Sequence, residues 1–239
     1  MIRLTQTSRR GLITGLAGAP FVIAGRAAFG AQSGKNQENQ EKETGAVEDL
    51  MREHGVLRRC LIVYSEAATR LRGGDRLDPK PIQRTAELFR RFGEGYHEMM
   101  LEEMHIFPGV KQAGGPAAAL VDVLMGQHER GREITAYTLQ VVATGAIGTG
   151  DTEPLARAFE NFVRMYRAHA AREDTVVFPA WKAALSEAQL REMGDRFENI
   201  ERETFGHDGF EDAIKQIAQI EGALGVADLA RFTAPPPKT

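Results

Sequence analysis

From Gly45 onward the apolar residues recur at intervals of three and four, the period of an amphipathic helix, and few segments interrupt them. Val47, Leu50, Met51, Leu57 and Leu61 lie on one side of a first helix that reaches about Leu71. There "RGGDRLDP" ends it, because paired glycines break a helix and Asp78-Pro79 starts another. The second helix carries Ile82, Leu88, Phe89 and Phe92 to about His105, and Pro108 with "AGGP" closes that segment. A third covers roughly 117–143 and ends in the Gly-rich "TGAIGTGD". A fourth runs from near Pro154 to about Val176, before Phe178-Pro179. Strand signals are nearly absent: β-branched runs are short and no Asn-Gly turn separates alternating segments. The fold class that follows is all-α, with connections short enough for antiparallel neighbours: an up-down-up-down four-helix bundle over residues 46–182. Two additional helices occupy a C-terminal extension, residues 183–239. "SEAQ" at 186–189 opens one with capping-box spacing; Asp208 caps the other, which ends before Gly225, and the tail "APPPKT" is expected to be disordered.

With 239 residues and 42% hydrophobic content, the chain can bury one core and carry appendages. Its formal net charge is -3, but the first 31 residues hold four arginines and no acid; without them 26 basic residues face 33 acidic ones, or -7. A mildly acidic body excludes nucleic acid as the main partner, since phosphate binding needs a basic face. The single cysteine, Cys60, excludes an internal disulfide framework and any CxxC motif.

Residues 1–31 read as an address. "TSRRGLITGLAGAPFVIAGRAAFGAQ" has a basic start, a moderately apolar stretch too short and Gly-rich to span a bilayer stably, and a small-residue end. Arg9-Arg10, after Ser8 and before Gly11, Leu12 and Ile13, resembles the twin-arginine export signal, with cleavage expected near Gly30 or Ala31. The resemblance implies a periplasmic protein with no membrane span in the mature chain, folded and often loaded with metal before export. No cysteine follows that would take a lipid anchor, and residues 32–45 form a polar, flexible leader.

Two stretches, "YHEMMLEEMHIFPGV" (96–110) and "YRAHAAREDTVVFPAW" (166–181), each bring His and Glu to the end of a helix and halt at Phe-Pro. The wider pattern is one histidine per helix on or beside the apolar stripe: His54, His97, His128 and His169. One such histidine is ordinarily a satisfied core residue. Four together need partners for both ring nitrogens and repel one another if protonated, and a metal ion resolves both problems. Glu173 stands four residues after His169, on the same helix face. Glu102 stands five after His97, which at ~100° per residue is about 140° round an α-helix. A local π-bulge would bring it back. Glu98 and Glu103 compete with it, and a solvated charged face is the expectation for both.

Histidine in the first helix, His-x4-Glu in the second, histidine in the third and His-x3-Glu in the fourth resembles the hemerythrin-like, HHE cation-binding family. The "HIFP" and "VVFP" endings are also typical, and the resemblance covers roughly residues 46–182. It implies a bundle holding two iron ions bridged by two carboxylates and an oxygen, with His54, His97, Glu102, His128, His169 and Glu173 as the metal ligands. Manganese and zinc are the alternative metals for such donors, zinc the less specific. Oxygen-carrying hemerythrins have a second histidine one turn after the third-helix ligand, and here that place is Arg132. Either the site has four histidines or a fifth comes from His105 or His207. Arg132 would then pair, from outside the ligand set, with one of the ligating carboxylates. For Tyr96 and Tyr166, packing and a redox role remain open.

The function expected is a periplasmic non-heme di-iron protein that binds, senses or scavenges dioxygen, nitric oxide or peroxide, or handles iron. An enzyme of peroxidase or nitric oxide reductase type is the alternative. A metal-free structural bundle is disfavoured by where the histidines fall.

Overall fold

The computed structural model describes residues 45–237; the Arg9-Arg10 motif, the leader up to residue 44 and the last two residues of the tail lie outside the described residues. Among the described residues every regular element is helical. Helix α1 (Ala46–Gly73) turns Leu50, Leu57, Leu61, Tyr64, Ala68 and Leu71 into the core. It stops at Gly74, whose φ of 75° is the left-handed conformation that glycine adopts without strain, and whose N–H donates to the Arg70 and Leu71 carbonyls. Met51 does not belong to the inner face: one residue past Leu50 it is about 100° further round the helix, and it is 38% exposed.

Helix α2 (Pro79–Leu88) begins at Asp78, whose side chain accepts from the Lys80 N–H. It runs without interruption into a π-helical segment, π1 (Phe89–Ile106), and then into α3 (Phe107–Ala113). Gly114 and Gly115, both at positive φ, turn the chain into α4 (Gly115–Val142). Helix α5 (Thr152–Arg172) likewise passes through a short π segment, π2 (Glu173–Val177), into α6 (Phe178–Ala183).

The Phe-Pro pairs therefore do not halt these helices, contrary to the reading from sequence. A proline inside an α-helix removes one hydrogen bond and clashes with the preceding turn. Here the wider π turn absorbs both costs. The Phe107 N–H donates to the Glu102 carbonyl and the Phe178 N–H to that of Glu173, each five residues back. The α ladder has already been broken when the ring arrives, and each proline opens a fresh α turn.

Helix α1 packs along α5, and α4 packs against α2, π1, α3 and α5, which makes the helical bundle. Helix α7 (Glu187–Phe205), opened by the Ser186 capping box, lies on α1 and π1. Helix α8 (Gly209–Leu224), capped by Asp208, crosses α1 and α2, and a short 3₁₀ turn follows at Leu229–Phe232. Phe89, Phe159, Phe162 and Tyr64 fill the core; Tyr64 stacks on Phe159 at 4.6 Å and Phe89 meets Phe162 edge-on at 4.9 Å. Fully burying one such ring contributes about 1.5–3 kcal/mol. The buried polar side chains stand out against this core, and most belong to one cluster.

Candidate metal centre

Six side chains from α1, π1, α4, α5 and π2 converge. His54, His97, Glu102, His128, His169 and Glu173 are each at most 3% exposed. Every imidazole turns Nε2 inward. His54 Nε2 is 3.4 Å from Glu173 Oε2, and His97 Nε2 is 3.4 Å from Glu102 Oε1. His128 Nε2 is 3.3 Å from Glu102 Oε2, and His169 Nε2 is 3.0 Å from Glu173 Oε1. Each carboxylate thus offers one oxygen to the His54/His97 pair and the other to the His128/His169 pair. The rings are paired accordingly, with centroids 4.7 Å apart in the first pair and 4.8 Å in the second.

Every Nδ1 faces outward to an acceptor. His54 is held by Asp174 Oδ1 at 2.6 Å, His97 by Glu53 Oε2 at 2.6 Å, His128 by Glu103 Oε1 at 2.9 Å and His169 by Gln127 Oε1 at 2.9 Å. An Nδ1–H donated outward fixes the tautomer whose Nε2 carries the lone pair. Further contacts fix the holders: Arg58 pairs with Asp174, Arg132 with Glu103, and the Tyr96 hydroxyl donates to Glu53 at 3.1 Å. Phe178 stacks on His54 at 5.3 Å and Phe107 on His128 at 5.5 Å, so the Phe of each Phe-Pro pair walls one imidazole.

His97 Nε2, Glu102 Oε1 and both Glu173 oxygens are buried without a hydrogen-bond partner. Such atoms cost ~1–3 kcal/mol each when nothing compensates them, more when charged. All four face the same cleft. Four imidazole lone pairs and two carboxylates are a donor set suited to metal, and the His/Glu clusters here could hold it.

The electrostatics agree. Burial opposes the Glu173 charge, but His169 and His54 hold its carboxyl well below the ordinary value. Burial and the nearby Glu173 likewise oppose ionisation of Glu102, and His97 and His128 still keep it low.

Two expectations about carboxylates need correction. Glu98 is not on a solvated face: it is 1% exposed, accepts from the Tyr166 hydroxyl at 2.6 Å and lies 3.8 Å from Arg132. Glu103 is not simply solvated either, because the π-helix turns it onto His128 and Arg132. Of the two histidine counts left open by the sequence, the structure has four at the cleft. His105 packs against Phe197 at 5.8 Å, and His207 is exposed with Asp212 at 3.8 Å. Arg132 does not pair with Glu102 or Glu173, as the sequence suggested, but with Glu103. Sequence reasoning missed Glu53, Gln127 and Asp174. Their signal was adjacency: each is a polar residue directly beside an inward His or Glu, and each reaches an imidazole on a facing helix.

Helices that converge four imidazoles and two carboxylates define a metal-binding helical bundle. The hemerythrin HHE cation binding domain matches residues 45–181, and the chain belongs to that family. Uncharacterized protein Rv1995 of Mycobacterium tuberculosis and uncharacterized protein Mb2018 of Mycobacterium bovis are each 40% identical to it over 232 residues, covering 94% of this chain and 90% of theirs. No solved structure matches the chain.

Proposed function

We propose that the chain is an exported hemerythrin-like protein whose antiparallel, up-down-up-down bundle carries a dinuclear non-heme iron centre. His54 and His97 would hold one ion, His128 and His169 the other, and Glu102 and Glu173 would bridge them. The observation that carries this reading is the orientation of all four imidazoles, Nδ1 held outward and Nε2 inward on the oxygens of Glu102 and Glu173, three of which are buried with no hydrogen-bond partner. Bound iron would supply redox chemistry toward dioxygen, nitric oxide or peroxide, which the protein binds, senses or scavenges. The chain's own residues orient the donors, and Phe107 and Phe178 shield them from water. With four histidines rather than five, neither position is saturated by protein, which favours reaction with small oxidants over reversible oxygen carriage. The enzyme reading, of peroxidase or nitric oxide reductase type, draws on one further observation: the buried Tyr166–Glu98 pair beside His169 is not needed to hold a ligand.

Metal analysis of the purified mature protein tests the proposal. About two iron or manganese ions per chain are expected from six ligands spread over the bundle. His54→Ala, His128→Ala and His169→Ala should each lower that number, and His207→Ala should leave it unchanged. Less than about a tenth of an equivalent of any transition metal, with no uptake on addition, would defeat the reading.

A further inference from the structure

The centre is built twice from one pattern. Glu53-His54-x3-Arg58 in α1 corresponds to Gln127-His128-x3-Arg132 in α4, and Glu102-Glu103 in π1 to Glu173-Asp174 in π2. The contacts repeat too. The acid after each bridging glutamate holds the Nδ1 of the α1 or α4 histidine and pairs with the arginine one turn on. The residue before each of those histidines holds the Nδ1 of the remaining histidine.

The repetition fails at one atom type. His97 donates to the carboxylate of Glu53 at 2.6 Å, whereas His169 donates to the amide of Gln127 at 2.9 Å. A carboxylate draws the Nδ1 proton toward itself and makes Nε2 the stronger donor; a neutral amide oxygen does so less. The surroundings differ in the same sense, since Glu53 is buried and Gln127 is only half-buried. Glu98 adds a carboxylate on the Gln127 side, but the Tyr166 hydroxyl and Arg132 face it and it makes no hydrogen bond to an imidazole.

We infer that Gln127 makes the two metal positions inequivalent, so that the His54/His97 position holds its ion more tightly and the His128/His169 position is the labile one. This rests on the dinuclear reading above, and a cobalt(II) experiment separates the two. The mature protein is loaded with cobalt(II), challenged with excess EDTA, and followed by ligand-field absorbance together with total metal. Two phases of similar amplitude are expected, with rates on the order of 10-fold apart, the low end of what outer partners contribute to affinity. Gln127→Glu should slow the fast phase toward the slow one, and Glu53→Gln should speed the slow phase toward the fast one. Gln127→Ala, which removes the acceptor without adding charge, should speed the fast phase further and serves if the charged variant does not fold. A single phase in the wild type, or a fast phase indifferent to both Gln127 substitutions, would overturn the inference while leaving metal binding intact. No cobalt uptake at all would sink the dinuclear reading, and this inference with it.

Discussion

At His128, Nδ1 faces Glu103 and Nε2 faces Glu102 and His169, so neither nitrogen depends on bulk water. Burial presses its imidazolium down, but Glu98, Glu102 and Glu103 reverse that and push its pKa up to about 10. Burial also opposes His54 and His97, and their carboxylate neighbours hold both above the ordinary histidine value. A raised folded-state pKa contributes stability that is complete below the unfolded value of ~6.5 and is lost as pH rises through the folded value. Glu173, Asp174 and Glu103 run the other way. Burial would raise them, yet their histidine and arginine partners hold them low, so their contribution is present above ~4 and lost as pH falls. The metal-stripped protein should therefore be most heat-stable between about pH 4.5 and 6.5 and weaken steadily toward pH 10. Loading with metal, which displaces the histidine protons, should move that maximum upward. Melting temperatures of the stripped protein that stay flat from pH 6 to 9 would contradict this. The inward histidines were legible in the sequence because each falls on or beside an apolar stripe. Their outer partners were not, because Glu53 and Asp174 reach across to other helices rather than along their own.

The spacing of His97 and Glu102 makes sense only at the scale of the whole segment. Five residues overshoot an α turn by about 140°, but a π-helix repeats its hydrogen bonds at i→i+5, so the same five residues make roughly one turn. Glu102 then lies 3.4 Å from His97. The sequence betrayed the mismatch and a local bulge as its cure; it did not reveal that the π geometry runs from Phe89 to Ile106. Whether a helix sustains that geometry depends on what it packs against. Tyr166 of α5, which donates to Glu98 of π1, is itself seated against Gly131 of α4: a Cβ there would overlap the Tyr166 hydroxyl and come within 2.9 Å of Cζ. Gly131→Ala gains up to ~1 kcal/mol of helix propensity but overpacks a core at a cost of about 1–3 kcal/mol. Overpacking should win, because the Tyr166 hydroxyl is also tied to Glu98. A lower urea midpoint is expected, partly restored by adding Tyr166→Phe. An unchanged or higher midpoint for Gly131→Ala alone would mean the contact is softer than argued.

Across the whole molecule, the local signals were the readable ones. The Ser186 and Asp208 caps mark α7 and α8 in the sequence because a cap is settled by neighbours three residues apart. What those helices cover could not be read, because it depends on docking partners distant in the chain. Arg59 of α1 grips Glu221 of α8 through two hydrogen bonds, at 2.9 and 2.5 Å. Helix α7 closes a cavity over Glu53 and Tyr96, directly behind His97. These helices begin beyond the family-matched residues and still reach the back of the site. Such enclosure bears on export. Because the six clustered side chains are at most 3% exposed, an ion would reach them in the folded chain only through local opening, so loading would belong where the chain folds. A transporter that moves folded proteins and reads paired arginines suits that requirement. We therefore expect Arg9→Lys combined with Arg10→Lys to leave the protein in the cytoplasm, carrying as much metal per chain as the exported wild type. Fractionation and metal analysis of both pools check this. Normal periplasmic accumulation of the double variant would remove the twin-arginine route, and a metal-free cytoplasmic pool would remove loading before export.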